Sequence, residues 1–405
     1  MSDLRRHIAA VTVARSDYGI YRPVLRAIRR LPDMRVSLVV SGAHLSADLG
    51  LTVREIEAEG MPIAERVPML SDTDTPEAIA ESMGRGIAGF GRAYARLRPD
   101  LLLVLGDRFE MHAAASAAVP MSVPIAHIHG GEITEGAIDD VFRHSITKMS
   151  HLHFVSTEQA ARRVAQMGEE PWRITVSGAP GLDGLRDAAR LDRAEIAARF
   201  GVRLPETFLL ATFHPVTLEL NRTAWQIDQL VHALERVAIP VVFTMPNADS
   251  NGRLIRERIA RFVQAYPWAS RVENFGTEGY ASAMSLASAM VGNSSSGILE
   301  AATFELPVVN TGARQAGRER AANIIDVGDS ADEIVAGLRR SLDPAFRAGL
   351  RGLRNPYGDG RASERIAERL TTVAFDDRFR RKRFAELPPS GRSAASFEAR
   401  ASCLA

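Results

Sequence analysis

Short, almost wholly apolar runs alternate with longer amphipathic stretches along most of this chain, and that alternation restricts its fold more than any other feature. IAAVTV (8–13), MRVSLVV (34–40), LLLVL (101–105), VPIAHI (123–128) and HLHFVS (151–156) read as strands, with helices over about 18–30, 49–59 and 76–97 and after each later strand. Strands apolar on both faces, each followed by a helix, dictate a parallel sheet covered by helices on both sides, a Rossmann-like, doubly wound α/β unit. The rhythm loosens around 178–205 and then restarts: FLLATF (208–213), VVFTM (241–245), RVENF (271–275), SAMVG (288–292) and PVVN (307–310) read as the strands of a second such unit. A length of 405 residues suffices for two ordinary cores. The expected division is an N-terminal domain over 1–185, a C-terminal domain over 186–375 and a flexible tail over 376–405, where charge, Ser, Ala and Pro dominate.

Fifty Lys and Arg against forty-nine Asp and Glu leave a net charge of +1, so no global field points to nucleic acid or to a membrane. An anionic ligand would need local basic groups. The single cysteine, Cys403, cannot form an internal disulfide, and no segment reaches the roughly 18 unbroken apolar residues of a membrane span. A cytoplasmic protein with a small-molecule partner is the expectation.

In doubly wound sheets ligands bind beyond the C-terminal ends of the strands, and the polar motifs fall there. After the first strand, ARSDYG brings Arg15, Asp17 and Gly19 to a helix start, where free N–H groups favour an anion; Asp17 would otherwise simply cap the helix. LLLVLGDRFE ends a buried strand in Asp107 and Arg108, a carboxyl open to desolvation beside a cation, with helix capping by Asp107 as the plain alternative. HIHGGEITEGAIDDVFRHSITK (127–148) gathers Glu132, Asp139 and Asp140 before Arg143, His144 and Lys148. His127, His129 and Glu132 would also suit an H-x-H metal site. However, His127 lies inside the strand, and no third histidine has ligand spacing. A carboxylate group for acid/base work is favoured, one aspartate serving as helix cap and Gly130-Gly131 letting a ligand approach the backbone.

In the second half, His214 of TFHP and Asn247 of MPNAD stand at strand ends. GNSSSGILE (292–300) runs from a strand into a helix with three hydroxyls, fit to cradle a diphosphate, with Glu300 in reach of a ribose; Arg314 of NTGARQAGRER adds a cation. Neither a Walker A pattern nor G-x-S-x-G occurs.

Together, RSDYG, GDRFE, HIHGGEITEGAIDD, RHSITK, HLHFVS, FHP, MPNAD, GNSSSGILE, NTGARQAGRE and NPYGDG (355–360), in this order from about residue 8 to 370, resemble the UDP-N-acetylglucosamine 2-epimerase family. GAIDD followed by RHSITK is similar to its hydrolysing branch, which serves sialic and legionaminic acid synthesis. The resemblance implies a GT-B fold, two Rossmann-like domains with a cleft between them, the last helix (about 361–374) returning to the first domain. It implies anti elimination of UDP to a 2-acetamidoglucal followed by hydration, giving N-acetylmannosamine from UDP-N-acetylglucosamine, without metal or other cofactor, in a homodimer or homotetramer. Carried over position by position, Arg15, Asp17, Gly19, Arg108, His214, Asn247, Phe275, Ser294, Ser295, Glu300 and Arg314 match UDP-binding places. Asp107, Glu132, Asp139 and Asp140 match the catalytic acids, and His214 supports the departing diphosphate. HIHGGE and TFHPVT are associated with the legionaminic-type enzymes, which act on a 2,4-diacetamido-2,4,6-trideoxy sugar. A GT-B glycosyltransferase and a non-catalytic nucleotide-sugar binder share the UDP clamp, but neither needs the acids.

Overall fold

The computed structural model describes residues 5–73, 75–135, 138–246 and 252–386. It divides into two compact units, the first built from residues before 184 together with those from 360 onward, the second from 184–359 with the short stretch 134–136.

In the first unit, seven parallel strands are β1 (Arg6–Thr12), β2 (Met34–Ser41), β3 (Ile63–Val67), β4 (Leu101–Leu105), β5 (Ile125–Ile128), β6 (Leu152–Val155) and β7 (Ile174–Val176), in the spatial order β3-β2-β1-β4-β5-β6-β7. The order reverses between β1 and β4, which puts the loops after these two strands at the position where doubly wound sheets commonly bind ligands. Both faces are covered. Ile8, Ala10, Leu101 and Leu103 pack with Tyr21 and Leu25 on one side, while Ala9, Val11, Leu102 and Val104 pack with Phe90 and Met111 on the other. Helix Ala362–Thr372 lies against helix Arg15–Arg29, adding Ile366 and Leu370 to the first of these cores.

The second unit holds six parallel strands: β8 (Leu209–Thr212), β9 (Val241–Thr244), β10 (Ala269–Val272), β11 (Ala289–Gly292), β12 (Val308–Thr311) and β13 (Ile324–Val327), in the order β10-β9-β8-β11-β12-β13. Here the reversal falls between β8 and β11, so TFHP and GNSSSGILE leave neighbouring strands. Their core centres on Leu209, Ala211, Phe243, Ile259 and Leu338.

Three strands escape the sequence reading: β3, β7 and β13. The expected strand 271–275 sits two residues early, at β10. The flexible tail expected from 376 begins instead as packed chain. Helix Asp377–Arg380 buries Phe379 completely, and the fully buried Arg173 donates to the carbonyls of Arg378, Phe379 and Arg381 at 3.0, 2.9 and 3.2 Å. Those carbonyls would otherwise be left unpaired at a helix end, and Phe379 supplies apolar burial that a composition count does not register. Cys403 lies outside the described residues. No helix among the described residues is long and apolar enough to cross a membrane.

Candidate active site

At the C-terminal end of β4 the chain turns through Gly106, whose N–H donates to Ile128 O at 2.9 Å, and presents Asp107 and Arg108. Asp107 is not the cap of helix Phe109–Ala118, since Arg108 holds that position; its carboxylate meets the guanidinium of Arg143 instead. Arg143 is 4% exposed and organises the acids. Its Nη1 also donates to Asp140 Oδ1 at 3.0 Å and to the main-chain oxygen of Glu132 at 2.8 Å. A buried guanidinium held by two carboxylates keeps its charge compensated and fixes both acids. Helix Ile138–Met149 carries Asp139 and Asp140 in its first turn, so neither caps it from outside. Burial, followed by the neighbouring Asp107, raises the pKa of Asp139 above the ordinary range.

After β1, helix Arg15–Arg29 begins earlier than expected, which places Asp17 inside its first turn rather than at the cap. Asp17 is 7% exposed and its carboxylate lies 3.5 Å from Arg108 Nε, a pair joining the loops after β1 and β4. Burial raises Asp17 while Arg108 opposes the shift. Glu110, which the sequence reading does not single out, is 4% exposed and pushed by burial up to about 7. Arg15 is largely exposed and pairs with Glu55 at 3.4 Å; Gly19 lies one turn into the same helix.

The H-x-H pair is split by the pleat. His127 is fully buried, with Nε2 donating to Gly106 O at 2.8 Å and Nδ1 3.3 Å from Thr147 Oγ1; burial drives it down to about 3, so it stays neutral. His129 points elsewhere, its Nδ1 2.6 Å from Glu132 Oε1. Gly130-Gly131 makes room for the chain itself rather than for a ligand. A Cβ on Gly131, at φ +75, would meet Ala160 O at 2.5 Å, and one on Gly130 would meet Thr147 Oγ1 at 2.9 Å. Among the described residues no cluster of three or more His, Cys, Asp or Glu has the geometry to hold a metal ion.

In the second unit, Gly292 ends β11 at φ +129, and a Cβ there would lie 2.0 Å from Thr212 O, so only glycine allows β8 and β11 to approach so closely. Asn293 then clamps the two loops together. Its Oδ1 accepts from His214 N at 2.7 Å and its Nδ2 donates to His214 O at 2.8 Å. The Asn293 carbonyl accepts from Arg314 Nη1 at 3.0 Å and Gln315 Nε2 at 2.9 Å. Thus His214, the serine loop and Arg314 form one polar cradle. Ser294 caps the short helix Ser295–Leu299, and its hydroxyl is 2.8 Å from Ser296, which is 2.7 Å from the Tyr280 hydroxyl. Burial pushes Glu300 up to about 7. Phe275 packs its ring inward, edge-on to Phe200 at 5.1 Å, at the start of helix Gly276–Leu286. Asn247 lies outside the described residues.

The sequence motifs therefore assemble as two polar groups, one at the strand ends of each unit: acids around Arg143 in the first, and amide, hydroxyl and guanidinium groups around Asn293 in the second. Arg143, Asn293, Gln315 and Tyr280 were not singled out as site residues from sequence. The only available signal was their position inside RHSITK, GNSSSGILE, NTGARQ and the helix before β11.

Comparison with known proteins gives the family. The family model described as UDP-N-acetylglucosamine 2-epimerase matches residues 26–371. A UDP-N,N'-diacetylbacillosamine 2-epimerase (hydrolyzing) of Legionella pneumophila is 37% identical over 91% of this chain and 96% of that protein. A GDP/UDP-N,N'-diacetylbacillosamine 2-epimerase (hydrolyzing) of Campylobacter jejuni is 38% identical over 80% and 84%. Among solved structures, the UDP-GlcNAc 2-epimerase of Neisseria meningitidis bound to UDP-GlcNAc superposes with a TM-score of 0.77 over 91% of this chain and all of that one; at 17% identity this shows the shared GT-B fold. From motif order, fold and full-length similarity, the chain belongs to the UDP-N-acetylglucosamine 2-epimerase family, on its hydrolysing branch.

Proposed function

We propose that this chain is a hydrolysing 2-epimerase acting on a UDP-2,4-diacetamido-2,4,6-trideoxyhexose, releasing UDP and the free 2-epimeric sugar. The observation that carries the chemistry is the set of carboxylates fixed around Arg143 in a chain that also builds an anion cradle around Asn293. The substrate class rests on the names of the Legionella and Campylobacter relatives. HIHGGE and TFHPVT in this sequence agree with it.

In this reading Ser294, Ser295, Arg314 and His214 take the diphosphate, Glu300 the ribose, and Phe275 and Asn247 the base end, with Arg15, Asp17, Gly19 and Arg108 contributing from the first unit. The acids Asp107, Glu132, Asp139 and Asp140 handle protons. The C2 proton leaves to a base, the C2–H electron pair becomes the C1=C2 bond of the glucal, and the C1–O pair departs with UDP. Water then adds its hydroxyl to C1 while a proton enters C2 on the opposite face. Because C2–H is weakly acidic, its removal must be coupled to departure of the diphosphate, which the cradle stabilises as charge develops.

UDP-N-acetylglucosamine is the second candidate, favoured by the family description itself. The two are separated by incubating the protein with each UDP-sugar alone and identifying free sugar by mass spectrometry. Free 2-epimeric diacetamido sugar formed faster than N-acetylmannosamine is the expected result; the reverse preference would overturn the substrate assignment. Release of neither sugar would overturn the activity.

A further inference from the structure

His129 carries three features that none of the roles above uses. It is a non-glycine residue at φ +68, turning the chain immediately after its N–H donates to Phe154 O at 3.0 Å, the last link between β5 and β6. A non-glycine residue in the left-handed region is uncommon, although histidine enters it more readily than most, and such positions occur at turns and helix ends as well as at active sites; Leu51, Arg98, Ser122, Ala238 and Glu305 share it in this chain. Its Nδ1 lies 2.6 Å from Glu132 Oε1, and the same oxygen accepts from Ser156 Oγ at 2.8 Å. Among the described residues, no hydrogen bond reaches its other nitrogen, Nε2. The ring is partly open, 15% exposed, and stands at the C-terminal end of a central strand beside the Asp107 turn.

An ionised Glu132 carboxylate only accepts, so with it the ring nitrogen it faces carries the hydrogen, and in the neutral ring Nε2 then holds the lone pair. A carboxylate that orients an imidazole and stabilises its protonated form, with the far nitrogen left open, is the arrangement of a general base. Glu132, held between His129 and Ser156, is thereby turned towards the histidine.

Resting on the activity proposed above, we propose that His129 Nε2 is the base that takes the C2 proton, and that Glu132 acts through it as a positioning residue. The proton moves from C2 to Nε2, the C–H pair forms the C1=C2 bond and the C1–O pair leaves on UDP. The protonated imidazole is balanced by Glu132. Hydration then returns a proton to C2 from the opposite face, from another member of the acidic group, and His129 releases its own proton to water.

The test uses the full chain and the diacetamido UDP-sugar. His129→Gly removes the ring and suits a backbone already at positive φ, and His129→Gln keeps a polar side chain without the base. Both should lower kcat by about 10²-fold or more, while UDP affinity by calorimetry stays within about threefold, below the scale of one lost hydrogen bond to a charged group. Added imidazole should restore part of the turnover of His129→Gly. Glu132→Gln should lose less than His129→Gln, and the double variant should lose no more than His129→Gln alone, since residues acting as one unit are not additive. Near-normal turnover in either histidine variant would overturn the proposal. So would a loss that imidazole leaves untouched, or one accompanied by lost UDP affinity, because either result marks His129 as a loop staple. An unmodified protein that releases no 2-epimeric sugar would instead refute the activity itself, leaving a separate signature.

Discussion

Glu110 shows how burial alone can set the charge of a residue. It stands in the first turn of a helix, where the dipole favours a carboxylate, and Arg108 is near; yet removal from water outweighs both, and the group is pushed from 4.5 up to about 7. The folded protein therefore keeps a proton that the unfolded chain loses above 4.5. The stabilisation is whole below that value and is lost as pH rises through about 7. Glu110→Gln, which cannot ionise, should gain stability relative to the parent protein between pH 5 and 8, by up to about 3 kcal/mol, read from denaturation midpoints at both values. An unchanged difference between the two pH values would mean that Glu110 is solvated. A second residue-scale prediction concerns Gly292, where an added Cβ would run into a main-chain oxygen that cannot step aside. Gly292→Ala should cost about 3 kcal/mol or more and abolish UDP binding by calorimetry, whereas Asn293→Ala should weaken UDP binding while leaving the unit folded. Candidate residues inside one contiguous motif could be named from the sequence. Their partnerships could not, because Asn293 meets His214, and Arg143 meets Asp107, only through strands that pair far apart in the chain.

Among elements, what sequence reveals and hides follows burial. The central strands β1, β4, β5, β8 and β11 are buried on both faces and show as mostly apolar runs. The strands missed lie at sheet edges: β3 (IAERV) alternates between partly buried and exposed residues, β7 has only three half-buried residues, and β13 (IIDV) carries an acid. An edge strand has one neighbour and a partly wet face, so its composition approaches that of a loop. The segment 376–386 escaped for a different reason, since it is secured by polar groups of another element: Arg173 on its carbonyls, and Lys382 Nζ 2.9 Å from Glu169, which also pairs with Lys148 and His153. Arg173→Ala should strip the helix-end carbonyls of their donor and cost about 3 kcal/mol or more, as for other broken buried polar contacts. The check is limited trypsin digestion, in which cleavage between Arg378 and Arg383 should become much faster than in the parent protein. Equal rates would show that apolar packing of Phe379 suffices to hold the segment.

At the scale of the whole molecule, the division of labour proposed for the two units predicts what the reaction should look like from outside. A nucleotide cradle alone would serve a transferase or a sensor, and acids alone would serve simple hydrolysis of a glycosyl bond; their presence in one chain favours elimination followed by hydration. In that sequence the C2 proton is removed in one step and a different proton is supplied in the next, on the other face. Turnover in D2O should therefore place one deuterium at C2 of the released sugar in every product molecule, measured by mass spectrometry and by loss of the C2 proton signal in NMR. Direct hydrolysis leaves the C2–H bond intact, and inversion through a ketone intermediate would require a redox cofactor and an oxidised carbon that elimination never forms. Asp107→Asn removes the basic form of a carboxyl held by Arg143 without changing its size, and should slow product formation by about 10²-fold or more while each product molecule still carries deuterium. Free 2-epimeric sugar that retains its original C2 proton in D2O would rule out elimination. Near-normal turnover of Asp107→Asn would remove that carboxyl from the proton-handling group and leave the work to its neighbours around Arg143.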